Sequence, residues 1–536
     1  MTTVPTKSLS DYARSILTAR VYDVAIESPL DPMPRLSERL GRAVFLKRED
    51  LQPVFSFKLR GAYNKIVRLS AAARERGVVC ASAGNHAQGV ALAARKLGIP
   101  ATIVMPRTAP ACKIGAVKRL GGEVVLDGDT FDDAQSKARE LEGERRLTFV
   151  HPFDDPDVIA GQGTVGLEVL RQHPDPIEAV FVPIGGGGLA AGVAACVKFL
   201  NPSIKIIGVE PTDAASMAAS IAKGSLVTLD RVALFADGVA VRRAGVETFR
   251  LCRELLDEVI TVGVDAMCAA IKDIFDDVRS VAEPSGALAL AGLKTYAERG
   301  PLSGAHLIAI NSGANLNFDR LRTIADRAEV ATHREALLAV TVPEKPGSCR
   351  RFMHTLGSRA VTEFNYRFAD ASIPAQLFVG IALTRGEAEK REVIELLRRE
   401  EFPILDLSEN EMAKDHVRYM VGGRARLLTD ELIYRFEFPE RPGALLTFLE
   451  SLAPEWNISL LHYRNHDADH GRILAGIEVR PEDRTRFVKA LDALGYPYWN
   501  ETANPAYRLF LSAGVEARQR AHFTRSLEAT HAACAC

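Results

Sequence analysis

The sequence predicts an α/β protein with parallel, doubly wound sheets in its first part, followed by two copies of a small α+β module. Three observations carry this. From about Pro29 to Leu316, short β-branched apolar runs alternate with helical stretches. After about residue 330 the alternation stops, and three segments recur at a nearly constant spacing. The chain of 536 residues also exceeds what one hydrophobic core organises, which suggests about three or four domains.

In the first part, Gly77-Val78-Val79-Cys80-Ala81 reads as a buried strand, followed by a helix from His86 to Lys96. A strand at 101–106, a helix from Ala111 to Leu120 and a strand at 123–126 follow. Later strands are expected at 179–184, 204–209 and 306–310. Strands alternating with helices imply right-handed βαβ units and parallel sheets covered on both faces. Ligands of such sheets bind beyond the carboxyl ends of the strands. Three polar or glycine-rich loops fall at those ends: 82–86, 185–189 and 311–315.

In the second part, Leu338 to Gly347 matches Tyr434 to Gly443, Val361 to Arg367 matches Ile458 to Arg464, and Phe378 to Leu383 matches Leu474 to Val479. The offsets are 96, 97 and 96 residues. Each copy reads strand, Pro-Gly turn, helix, strand, strand, helix, strand, an α+β module with an antiparallel sheet. The expected layout is 1–330 with two α/β subdomains, modules at 335–409 and 431–502, and a tail at 512–536 that holds a short amphipathic helix at best.

Composition narrows the function. A formal net charge of -1 leaves no electrostatic footprint for nucleic acid or an anionic membrane. No apolar stretch approaches the roughly 20 residues that span a bilayer. The first residues lack a secretory apolar core. The 8 cysteines are scattered with no CxxC pair, as expected of a reduced cytoplasmic setting, and no metal site is expected.

The chemistry-bearing residues are Lys58 in the run Ser56 to Tyr63, the loop Ser82-Ala83-Gly84-Asn85-His86, and Gly185-Gly186-Gly187-Gly188 opening a helix at Leu189. An amine for an aldehyde, donors for a ring hydroxyl and successive backbone N–H groups for a phosphate are what pyridoxal 5'-phosphate requires. Ser312 ends the last strand of this part. A hydroxyl facing the cofactor's ring nitrogen is too weak an acid to protonate it, which suits elimination over transamination.

Together these runs strongly resemble biosynthetic threonine dehydratase (threonine ammonia-lyase), a fold-type II pyridoxal phosphate enzyme. Further matches are Lys47-Arg48-Glu49-Asp50, Val158 to Thr164, Val281 to Leu290, Ser312 to Asn315 and Asp415 to Arg424. The resemblance implies Lys58 as the Schiff-base lysine, Asn85 beside the ring hydroxyl, Gly185 to Leu189 as the phosphate loop and Ser312 at the ring nitrogen. It implies that Ser82 to His86 hold the substrate carboxylate of L-threonine, which loses water and yields 2-oxobutanoate and ammonia. The repeat resembles a tandem pair of ACT-like regulatory domains, implying inhibition by isoleucine opposed by valine, with Pro346, Gly347, Pro442 and Gly443 as candidate effector contacts. The family is usually a homotetramer. Ala83 stands where serine racemases of this fold carry a second serine, so racemisation should be negligible. A β-eliminating enzyme acting on serine, and an amino-acid sensor without catalysis, are the competing readings.

Overall fold

Val78-Val79-Cys80-Ala81 has no polar alternation, and it forms a strand buried along its whole length, as a strand covered on both faces must be. This is seen in a computed structural model that describes residues 7–299, 306–343, 348–357, 359–365, 374–419, 430–439, 456–464 and 470–511. The chain divides between Ala328 and Glu329 into two units.

In the first unit the strands are β1 (Leu30–Pro32), β2 (Val44–Arg48), β3 (Val78–Ala81), β4 (Ala101–Met105), β5 (Glu123–Leu126), β6 (Thr148–Phe149), β7 (Ile177–Pro183), β8 (Lys205–Pro211), β9 (Glu258–Val262) and β10 (His306–Asn311). They make two sheets rather than one, in the orders β5-β4-β3-β6 and β1-β2-β10-β7-β8-β9. All pairings are parallel except that of β1 with β2. Alternate residues feed opposite cores: Val180, Val182, Ile308 and Ile310 pack on one face of the larger sheet, and Ala179, Phe181, Leu307 and Ala309 on the other. β2 escapes a hydrophobicity reading because Lys47 and Arg48 interrupt it. Lys47 is nevertheless fully buried, with its ammonium on Glu168 at 2.6 Å.

The second unit repeats one topology. β11 (Glu335–Val342), β12 (Val361–Asn365), β13 (Ala375–Ala382) and β14 (Ile404–Asp406) pair in the order β12-β13-β11-β14. β15 (Glu431–Pro439), β16 (Asn457–Arg464), β17 (His470–Glu478) and β18 (Tyr498–Asn500) pair as β16-β17-β15-β18. Every pairing is antiparallel. One face of the first sheet packs Leu338, Val340, Val379 and Ile381 against Phe352, Leu356, Val393 and Leu397 of its helices. The opposite faces of the two sheets share a core of Leu337, Ala339, Phe378, Ile433 and Leu474. Pro346, Gly347, Pro442, Gly443 and the tail 512–536 lie outside the described residues.

Candidate active site

Lys58 is the first residue of the helix Lys58–Ile66, where its charge opposes the positive end of the helix dipole. Its Nζ donates to the carbonyl of Pro152 at 2.9 Å, in the loop after β6. Burial pulls the ammonium down to about 8, against the upward pull of the Glu283 carboxylate. The ammonium therefore gives up its proton more readily than that of a surface lysine. The residue is anchored from behind. Arg60 is fully buried, its guanidinium on Glu49 at 2.7 Å, while Glu168 receives both Arg60 and Lys47. Two cations against two carboxylates leave this buried cluster neutral, and its ion pairs join β2, the Lys58 helix and the helix Pro156–Gln172.

Residues 54–57 are laced to 312–315, although the two segments are far apart in sequence. Phe57 N–H donates to Ser312 O at 3.2 Å, Ala314 N–H to Phe55 O at 2.9 Å, and Asn315 Nδ2 to Val54 O at 2.9 Å. Ser312 is 3 % exposed, and its hydroxyl donates to Ser285 O at 3.2 Å. Asn85 starts the helix Asn85–Leu97. Its Nδ2 donates to Glu283 Oε1 at 2.6 Å, and its Oδ1 accepts from Asn315 Nδ2 at 2.6 Å, so the amide is held at both ends. Burial raises the Glu283 carboxyl to about 7, and the nearby Asp237 charge adds to it. Ser82 Oγ accepts the Gly84 N–H at 3.1 Å, which bends the half-exposed loop Ser82 to Asn85. His86 is turned inward, with Nε2 at 2.9 Å from Val150 O, and burial together with the Lys58 charge lowers it to about 3.

The four glycines are packed against the protein on the side where a Cβ would stand. A Cβ on Gly185 would lie 2.9 Å from Val239 Cα, on Gly186 2.2 Å from the Phe153 ring, on Gly187 2.7 Å from Met217 Cε, and on Gly188 3.0 Å from Phe153 Cα. Gly187 adds φ +95°, a left-handed conformation that glycine adopts without strain. Thr248 Oγ1 donates to Gly186 O at 2.6 Å and ties the loop to the helix Val246–Leu255. Asp154 caps that helix through the N–H groups of Val246, Glu247 and Thr248. The helix Gly188–Leu200 begins in the loop, and Leu189 is buried in the core behind it. The first N–H groups of a helix lack partners within it, so they suit a phosphate.

Pyridoxal phosphate fits these residues. Any Cβ on these glycines would collide with Phe153, Val239 or Met217, so the loop keeps its backbone bare, and the buried Ser56 Oγ, Ser285 Oγ and Asn311 Nδ2, beside Gly313, Gly238 and Gly286, find no hydrogen-bond partner in the protein. Lys58, Asn85, the glycine loop and Ser312 thus meet at the carboxyl ends of β3, β7 and β10. Phe153 and Thr248 had no sequence signal of their own, and Asn315 was legible only as the end of the loop 311–315. Glu283 stands inside a family-like run, but its carboxylate acquires meaning only beside Asn85.

Comparison with known proteins agrees. Residues 21–313 match the family described as "Pyridoxal-phosphate dependent enzyme". Residues 326–417 and 422–511 match the "C-terminal regulatory domain of Threonine dehydratase". The chain is 58% identical over 505 residues to a biosynthetic L-threonine dehydratase of Burkholderia multivorans, covering 94% of this chain and 99% of that one. It is 53% identical to the Escherichia coli K12 counterpart, covering 94% and 97%. Among solved structures, processed threonine deaminase isoform 2 of Solanum lycopersicum matches with a TM-score of 0.59 at 52% identity, over 61% of this chain and 96% of that one. The chain belongs to the biosynthetic threonine dehydratase family of pyridoxal-phosphate-dependent enzymes.

Proposed function

We propose that this chain converts L-threonine to 2-oxobutanoate and ammonia as the first step of isoleucine synthesis, under feedback control by isoleucine with valine opposing. The observation that carries the catalytic part is the convergence of Lys58, Asn85, Gly185 to Leu189 and Ser312 at the carboxyl ends of three parallel strands. Bound pyridoxal phosphate supplies the electron sink for the carbanion at the substrate Cα. Lys58 would hold the cofactor, and its freed amine would take the proton from the substrate Cα. An amine pulled down to about 8 is suited to that work. Gly185 to Leu189 hold the phosphate through backbone N–H groups. Asn85, gripped by Glu283 and Asn315, addresses the ring hydroxyl. The Ser312 hydroxyl, which donates to Ser285 O, would turn to the ring nitrogen without protonating it. Backbone N–H groups and the Ser82 hydroxyl in the loop Ser82 to His86 orient the substrate carboxylate, and Ala83 offers no proton to the opposite face.

The same reading assigns catalysis to residues 1–330 and effector binding to 335–409 and 431–502, with the turns Pro346-Gly347 and Pro442-Gly443 receiving the effector carboxylate. It includes a homotetramer in the cytoplasm. Among the described residues no helix is long and apolar enough to cross a membrane. The test is 2-oxobutanoate formation from threonine with and without isoleucine, beside pyruvate formation from serine. Threonine preferred and isoleucine inhibitory supports the reading. Preference for serine, or no turnover by the cofactor-loaded chain, overturns it.

A further inference from the structure

At the end of the six-stranded sheet opposite the active site, three ligand-bearing side chains meet. His173 caps the helix Pro156–Gln172, Asp175 lies in the turn before β7, and His306 opens β10. His173 Nε2 and His306 Nδ1 are 2.8 Å apart. Ligand atoms of all three residues, the Asp175 carboxylate included, lie within 4.8 Å of one another. Positions 173, 175 and 306 match no spacing motif, which is why the sequence suggests no metal here.

Rigid backbone sets this arrangement. His173 N–H donates to Val169 O at 3.1 Å, and His306 N–H donates to Pro176 O at 2.9 Å, so the turn carrying Asp175 is tied to β10. The pairing of β10 with β7 slips between His306 and Leu307. Such a bulge re-aims the side chain at its edge. Phe45 packs against both imidazoles, with centroids 4.6 Å from His173 and 5.3 Å from His306. His173 is buried, His306 half-buried and Asp175 exposed, so the group is walled on one side and open on the other.

We propose that His173, Asp175 and His306 form a binding site for a divalent metal ion of the zinc class. Two imidazole nitrogens and one carboxylate, with no thiolate, favour zinc, cobalt or nickel over magnesium or calcium. Tetrahedral zinc with bonds of about 2.0–2.1 Å places two nitrogens about 3.3 Å apart. The imidazoles therefore separate by about half an ångström as the ring that holds the proton between them changes tautomer, giving that proton to water and taking one on its far nitrogen, and the ion enters. Water on the open side completes the coordination. The six residues of β10 run about 20 Å from this group toward Ser312. The ion joins a helix end to two strands and acts on stability rather than turnover.

The test uses the full-length holoenzyme with zinc chloride as the probe, in wild type, Asp175→Asn and His306→Gln. Wild type is expected to bind one zinc more than either variant by equilibrium dialysis. Its melting midpoint should rise by about 3 °C at a hundredfold excess over Kd, reversed by chelator. Each variant should bind at that site at least about tenfold more weakly and lose the melting shift, with turnover unchanged. Asp175 is exposed, so Asp175→Asn keeps the test alive should His306→Gln fold poorly. Equal zinc stoichiometry and equal melting shifts in all three proteins would overturn the proposal. So would a wild type that binds no zinc, leaving only a hydrogen-bonded imidazole pair.

Discussion

The larger sheet of the first unit and the paired sheets of the second bury both faces of their central strands, yet the residues proposed for catalysis lie in the first unit. In the parallel sheet β7 passes through the glycine loop into the helix Gly188–Leu200, so strand ends and helix N-termini face one crevice. Helix N–H groups, glycines and polar loop side chains are thereby collected without any helix having to break. In the antiparallel modules neighbouring strands run in opposite directions, so their ends alternate between the two edges. Their second faces instead meet in the core around Phe378 and Ile433. Parallel order gathers strand ends and helix N-termini on one side, and antiparallel order builds two sheets packed face to face.

Four substitutions or cuts would break or sharpen this contrast. Lys58→Ala is the most severe for chemistry: threonine dehydration should fall by about four orders of magnitude or more. The circular dichroism and melting of the chain should hardly change, and near-normal 2-oxobutanoate production would remove Lys58 from its role. Phe378→Ala is the counterpart in the second unit. Phe378 is fully buried and meets Phe510 edge-on at 5.7 Å, so its loss should destabilise that unit by about 3–5 kcal/mol. Calorimetry should show its transition shifted down while the cofactor's visible absorbance stays, and an unmoved transition would sink the shared core.

Glu283→Gln tests the polar side. With its carboxyl raised to about 7 from 4.5, the folded chain holds a proton that the unfolded chain has released. The stability this contributes is whole below pH 4.5 and is lost as pH rises through 7, an effect on the order of 3 kcal/mol. Glutamine cannot titrate, so urea unfolding of the cofactor-stripped variant should lose that much of its pH dependence between pH 4.5 and 7. An identical slope in both proteins would show that Glu283 is ionised throughout. The smallest effect belongs to a chain ending at Ala331. It should keep cofactor and basal turnover within about threefold while losing the isoleucine response, because the first unit has its own cores. A folded but colourless fragment would place the boundary elsewhere.

The segments most legible in the sequence were those whose local pattern agrees with their final environment. β3, β4 and β7 are apolar runs because both their faces are covered, and the repeat stood out because each copy reuses the same order of four strands. β1, β2, β6 and β9 were missed. β1 and β6 are too short for a pattern, and the charges of β2 are neutralised only by distant partners such as Glu168. Lys58, Asn85 and the glycine run could be picked out because an amine, an amide and four adjacent glycines are locally unusual.

By itself the sequence determined which residues could do chemistry, that strands and helices alternate up to about residue 316, and that a module occurs twice. Those are properties of residue type and short-range order, and the backbone reads them within a few turns. Only the tertiary structure decided that the alternation splits into two sheets and that Ser312 lies against Phe57. It also decided that Asn85 is held between Glu283 and Asn315, and that His173, Asp175 and His306 meet. These depend on contacts between residues far apart in the chain, whose geometry is set when whole sheets and helices pack and which no local pattern encodes.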